Sequence, residues 1–320
     1  VRAHEAAHMA AGAGLTSGAS YQYARGPDGK QYAVGGEVKI DVSPDQYRQT
    51  IAAGLDMYDV EHVLVTHTHE DHFTLPALMD KQMSVETNGR PLTVYLSKPG
   101  LAYVEGLIAG TAFSAADRRW KDANLAFAGL AYFHEYAIGG LSVQTVRGSH
   151  AAHGKDEQSI NYLVGTPDGK RFLYACDTGY YRDETWEYLA GRRVDTLILE
   201  CTFAGRTDRG EFPESHLDLA SWFKTLERMT QIGFVDERTA VYATHFNPHQ
   251  GLGHFEIHDR LQREGRLDHA AKDCPFYRSP PAARSMVCAF FGRRDRNWPS
   301  FDLFEIWPQV VSRYTLKPAP

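Results

Sequence analysis

The densest chemistry in the chain is Thr66-His67-Thr68-His69-Glu70-Asp71-His72. Imidazoles at alternate positions, then a carboxylate and a further imidazole, place enough metal donors together for one turn to wrap two cations. A polar surface loop without metal is the competing reading, and the apolar run Glu61–Thr66 directly ahead of the cluster argues against it. Four later runs repeat the pattern of an apolar strand followed by a donor. Leu141–Val146 leads to His150 and His153, Arg171–Cys176 to Asp177, Thr196–Leu199 to Glu200, and Ala240–Thr244 to His245. Donors at the C-terminal ends of strands converge on one crevice in an α/β architecture, because the outgoing loops meet there. The 15 histidines of the chain point the same way.

Such donors need strands to carry them and helices to cover the strands. Glu37–Val42 alternates as a strand, and Ser43-Pro44-Asp45-Gln46 opens a helix with Ser43 as N-cap, Pro44 in the first turn and Gln46 completing a reciprocal cap. Tyr47, Ile51 and Leu55 would share one face of it. Further helices are expected over Glu184–Ala190 and after Ser215, where Leu217, Ala220, Phe223 and Leu226 make an apolar stripe. The Asp168-Gly169 turn joins Ser159–Gly165 to Arg171–Cys176 as a hairpin. Three parts are distinguished: residues 1–34, with little periodicity and opening on Val rather than Met, as in a processed or truncated chain; a catalytic domain over 35–264; and 265–320. The last part, with Ser279-Pro280-Pro281 and arginines 278, 284, 293, 294 and 296, lacks the strand-then-donor pattern and reads as an appended segment.

Composition narrows the function classes. With 320 residues, 43% hydrophobic and 23% charged, the chain can bury a sizeable core, which excludes a disulfide-stapled miniprotein and a disordered chain. A net charge of −6 disfavours nucleic acid, and no apolar run reaches the ~18–20 residues of a membrane span. Cys176, Cys201, Cys274 and Cys288 show no short paired spacing, which suits a reducing cytoplasm. A small molecule is the expected partner, and a homodimer is compatible with the sequence. GxSxG is absent, and no glycine pattern forms a strand-to-helix phosphate cradle.

From about Gly35 to Leu261 the chain resembles the metallo-β-lactamase superfamily of dinuclear metallohydrolases, whose HxHxDH signature is matched by His67-Thr68-His69-Glu70-Asp71-His72. The resemblance implies a four-layered αβ/βα sandwich with two divalent ions, zinc first, with manganese or iron as alternatives. His67, His69 and a downstream histidine would hold one ion and Asp71, His72 and His245 the other, with Asp177 bridging. For the downstream ligand His150 and His153 compete. The spacing from His153 to Tyr162 is similar to that of phosphodiesterase relatives and favours His153, leaving His150 to orient a ligand or touch substrate. Glu200-Cys201-Thr202-Phe203 and His216-Leu217-Asp218-Leu219 resemble the motif pair of the phosphodiesterase branch, seen in tRNase Z and in PhnP-type cyclic-phosphate phosphodiesterases. There, Glu200 would support His216, placed at a helix start, in protonating a leaving oxygen, with Asp71 also counted as catalytic. The short stretch from His153 to Asp177 has no room for a tRNA-binding arm, so the resemblance implies a small, cyclic phosphodiester attacked by water activated between the ions. PhnP-type enzymes use N-terminal cysteines for a further structural zinc. This chain has none before Cys176, and His249 stands near that site's histidine. A lactone or β-lactam hydrolase and, behind it, a non-catalytic scaffold of the same fold are the competing functions.

Overall fold

The computed structural model describes residues 37–46, 60–78, 91–110 and 125–247, a few positions between 252 and 260, and short strands outside these spans. Two sheets form its centre. The five-stranded sheet runs in the order β13 (Phe290–Phe291), β3 (Glu37–Ile40), β4 (Val60–Leu64), β5 (Leu92–Ser97) and β6 (Leu125–Leu130), parallel from β3 to β6. The seven-stranded sheet has the order β14 (Ser312–Thr315), β12 (Ala240–Thr244), β11 (Thr196–Glu200), β10 (Arg171–Ala175), β9 (Gln158–Gly165), β8 (Leu141–Ala151) and β7 (Glu135–Ile138). Its β10, β11 and β12 are parallel, and β7 to β10 form an antiparallel meander. β1 (Tyr23–Arg25) and β2 (Gln31–Ala33) pair with each other. The described residues of the C-terminal segment are thus edge strands, one in each large sheet.

Three apolar layers fill the spaces between four layers of structure. Between the sheets, Val38, Ile40 and Leu64 meet Val143, Ile160, Tyr162, Tyr174 and Ile198. Outside the five-stranded sheet, α1 (Leu75–Leu78) and α2 (Lys98–Gly110) bury Leu78 and Val104 over Val63, Val65 and Val94. Outside the seven-stranded sheet, α3 (Asp183–Leu189) and α4 (Leu219–Gln231) bury Trp186, Leu189, Trp222 and Met229 over Leu173, Leu197 and Val241. This is the expected αβ/βα sandwich, and of its parallel strands β10, β11 and β12, covered on both faces, are largely apolar for that reason. No helix among the described residues is long and apolar enough to cross a membrane.

Several local expectations are corrected. The reciprocal cap at Ser43 and Gln46 does not form: Ser43 Oγ and Gln46 Oε1 are buried without a hydrogen-bond partner, and Tyr47, Ile51 and Leu55 lie outside the described residues. Lys39 alternates as a solvent-facing residue would, yet it is fully buried, its ammonium donating to the Asp41 carbonyl and its pKa pushed down to about 7 by burial. The helix after Ser215 starts only at Leu219, capped by Asp218, which accepts from Ser221 N at 2.8 Å while Ser221 Oγ accepts from Asp218 N. Its buried face is Leu219, Trp222, Leu226 and Met229, with Ala220 exposed and Phe223 half-buried. The β9–β10 hairpin forms as expected, with Gly169 at φ 84° in its turn.

Candidate metal centre

All the donors lie where strands end. β4 runs into His67 and His69, β8 reaches His150, β10 ends before Asp177, β11 ends on Glu200, and β12 ends before His245. Three residues immediately past strands occupy the left-handed region: Asp41 at φ 60°, Asp177 at 57° and His245 at 58°. Non-glycine residues adopt this conformation at a cost, and here it turns carboxylate and imidazole side chains out of their strands into the crevice.

Two donor sets share Asp177. The first joins His67, His69, His150 and Asp177; the second joins His72, Cys176, Asp177 and His245, with all ligand atoms of a set within 4.8 Å of one another. In the first, His69 Nδ1 lies 3.1 Å from His67 Nε2 and 3.0 Å from His150 Nε2, and Asp177 Oδ2 lies 3.4 Å from His67 Nε2. In the second, His72 Nε2 lies 3.2 Å from His245 Nε2 and 3.4 Å from Asp177 Oδ2, while Asp177 Oδ1 is 3.1 Å from His245 Nε2. The more exposed Asp71 carboxylate reaches the same two imidazoles at 3.8 and 3.9 Å. Donors about 2 Å from a tetrahedral ion stand roughly 3.3 Å apart, so the residues present fit two cations.

The far side of most of these imidazoles is also held. Asp41 accepts from His72 Nδ1 at 2.8 Å and from Thr66 N at 2.7 Å. Thr66 Oγ1 donates to Asp41 and so accepts from His67 Nδ1 at 3.0 Å. The Ser215 carbonyl accepts from His150 Nδ1 at 2.7 Å. Thr202 Oγ1 donates to Glu200 at 2.7 Å and accepts from His245 Nδ1 at 2.8 Å. Each of these bonds fixes a tautomer that leaves Nε2 bare toward the crevice.

Electrostatics favour ligation at three of these rings. Burial holds His67 well below the usual imidazole range, pulls His150 down to about 4 and lowers His245, so these rings are neutral and able to ligate near pH 7. Burial pulls His72 down as well, but Asp177 and Asp41 override it and raise it well above the usual range. Burial likewise works against the Asp177 carboxylate, and His245, His72 and His67 overcome it, holding Asp177 well below the usual range.

Placement reverses the preference for His153. β8 continues through Ala151, with a bulge between Arg147 and Ala151, and delivers His150 to the cluster. His153 sits beyond the strand, its half-exposed side chain 3.1 Å from the exposed Glu70. Tyr162, whose spacing favoured His153, is fully buried and donates to the Val65 carbonyl at 2.6 Å, which ties the two sheets together. His216 is corrected too: it precedes the Asp218 cap instead of standing in the first turn of α4. Its ring nevertheless joins the site, 4.6 Å from His150 and stacked 5.8 Å from His245. Glu200 is fully buried and accepts from the backbone N–H groups of Gly179, Leu217 and Thr202, with Oε1 3.6 Å from His216 Nδ1, an ion-pair separation too long for a hydrogen bond. Burial lowers His216, and the Glu200 charge overrides it and raises it; burial would raise Glu200, and His216 and the amides bring it down to about 2. His249 lies outside the described residues.

Asp41, Thr66, Thr202 and Glu157 were not singled out from sequence, although Asp41 follows an apolar strand just as Asp177 does. His4-Glu5-Ala6-Ala7-His8 is a further signal passed over, an H-E-x-x-H spacing that lies outside the described residues.

A family model described as the beta-lactamase superfamily domain matches residues 37–261, and one described as the SprA-related family matches residues 1–52. Among solved structures, unliganded yeast PDE1 is similar with a TM-score of 0.52 at 12% identity, over 81% of this chain and 81% of that one, a likeness of fold. The metallo-beta-lactamase fold protein YhfI from Bacillus subtilis aligns with a TM-score of 0.49 at 14% identity, over 72% and 84% of the two chains. Human tRNase Z, short form, aligns with a TM-score of 0.45 at 16% identity, over 74% and 89%. No curated protein matches.

Proposed function

The chain belongs to the beta-lactamase superfamily, as a metal-dependent hydrolase of the metallo-β-lactamase fold, and from that premise we propose that it hydrolyses a small phosphodiester. The observation that carries this reading is His216, held between the two donor sets with the buried Glu200 carboxylate behind it. A positioned acid paired to a buried carboxylate suits expulsion of a basic alkoxide from phosphorus, and the Glu200–His216 pair, not the metal donors, is what favours this reading over a lactone or β-lactam hydrolase.

His67, His69 and His150 would hold one divalent ion, and His72, His245 and Asp71 the other, with Asp177 reaching both. Bound there, two such ions, zinc first and manganese or iron as alternatives, supply Lewis acidity toward phosphoryl oxygens and offset their charge. His216 turns Nδ1 toward Glu200 and is kept protonated by it, which leaves Nε2 to give its proton to the departing oxygen. Asp41 and Thr202 hold His72 and His245 in the tautomers that leave Nε2 bare. Overall, a water oxygen bonds to phosphorus, the ester P–O bond breaks, the alcohol leaves with the His216 proton, and the proton shed by the water returns through solvent to restore the imidazolium. A small substrate is supported by the tight β9–β10 turn, where Thr166 N bonds the Lys170 carbonyl and no arm is inserted, and by the net charge of −6.

Parallel assays with bis-p-nitrophenyl phosphate, a lactone and nitrocefin test the reading. Turnover of the phosphodiester above the other two is expected, and preferential turnover of the lactone or nitrocefin contradicts it.

A further inference from the structure

Beyond the donors, one buried carboxylate takes part in no step above. Glu157 is 1% exposed and, among the described residues, has no Lys or Arg within ion-pair distance. Its Oε1 accepts from Thr68 N at 3.1 Å, and its Oε2 accepts from Thr68 Oγ1 at 2.5 Å and from Gly154 N at 2.7 Å. Space is cleared for it on two sides: a Cβ at Gly100 would come within 2.7 Å of Oε1, and one at Gly154 within 2.8 Å of Oε2. Gly100 lies in the first turn of the 13-residue α2, where the helix dipole favours a negative charge.

Thr68 stands between two donors. Drawing Thr68 toward Glu157 fixes the bend between His67 and His69, whose rings face His150 and Asp177. The second hold of the carboxylate, on Gly154, fixes the loop that leaves β8 just after His150. We propose that Glu157 is the positioning residue of the first metal site, fastening the His67–His69 turn to the β8–β9 loop, and that it does not serve the second. This rests on the reading that His67, His69 and His150 hold one ion.

Glu157→Gln keeps the shape but turns an NH2 group toward a donor that the carboxylate accepted, so at least one of the three bonds is lost. The test is a zinc titration of the full chain against a chromophoric chelator, in two backgrounds. His245→Ala leaves the first site intact, and His69→Ala leaves the second. In the His245→Ala background, Glu157→Gln should weaken the remaining ion by about 10–100-fold, as loss of a partner behind a ligand does, and in the His69→Ala background it should leave affinity unchanged. Thr68→Val removes only the hydroxyl and should reproduce the same asymmetry on a smaller scale, which keeps the test usable if Glu157→Gln folds poorly. Equal weakening at both sites, or none at the first, overturns the assignment while leaving the phosphodiesterase reading intact. A wild-type chain that binds no zinc overturns the metal-site reading, and this inference with it.

Discussion

The two ends of the parallel strands β10, β11 and β12 treat carboxylates in opposite ways. Where the strands begin, Asp195 and Asp236 meet Arg193 at 3.1 and 2.7 Å, and Asp236 also takes Arg238 at 2.7 Å. Where the same strands end, Asp177 and Glu200 are almost fully buried, and among the described residues their ion pairs are all with histidines. A carboxylate paired to Arg is satisfied by the chain itself, and the result is stability. Where the strands end, the carboxylates sit among imidazoles of two kinds: His67, His150 and His245 are held low by burial, while His72 and His216 are raised by the carboxylates they face, and bound cations would complete the charge balance. Charge at one end is paired within the fold, and charge at the other is gathered around the candidate metal site.

The comparison breaks most sharply at Asp177. Replacing Asp177 by Ala removes the one group common to both donor sets, so both ions and essentially all turnover should be lost, measured by metal analysis of the purified variant. Retention of two tightly bound equivalents would show that the sets do not share it. His150→Ala should cost one ion and most activity, while His153→Ala, which removes contacts to the exposed Glu70 and to the rings of His69 and Tyr103, should keep both ions.

His216→Ala should preserve metal content and slow phosphodiester turnover by ~10²–10⁴-fold, the usual loss for a missing general acid. The loss should shrink for a p-nitrophenolate leaving group and grow for an alkyl one; equal slowing of both would mean that His216 positions phosphate instead. The smallest effect belongs at the strand starts. Asp236→Asn should leave turnover unchanged and lower stability by about 1 kcal/mol, the upper end for partly exposed pairs. Arg193 and Arg238 hold Asp236 below the usual carboxylate range, so its contribution is fully present above ~pH 4 and fades as pH falls through the depressed value. Thermal melts of wild type and Asp236→Asn should accordingly converge in strong acid and separate at neutral pH.

Much of the site was legible because each donor follows an apolar run, and burial of the strand forces the next polar residue to the sheet edge. Of the residues that pattern and a resemblance point to, His67, His69, His72, Asp177 and His245 come together in the structure, with the Asp71 carboxylate 3.8 and 3.9 Å from His72 and His245. His150 against His153 could not be settled from sequence, since the answer depends on how far β8 extends and where it bulges. The start of α4 was misplaced because Ser215 and Asp218 are both plausible caps, and only the Asp218–Ser221 exchange decides between them. Glu157 and Asp41 stayed hidden for a different reason: their partners are 89 and 31 positions away, and no local spacing records such contacts.

The central claim, that two ions sharing Asp177 drive phosphodiester hydrolysis, is tested most directly by returning zinc to the chelator-stripped chain. Turnover of bis-p-nitrophenyl phosphate, followed against equivalents added, should start near zero and level off at two equivalents. Turnover that persists in the stripped chain, or that stays absent with two equivalents bound, would contradict it.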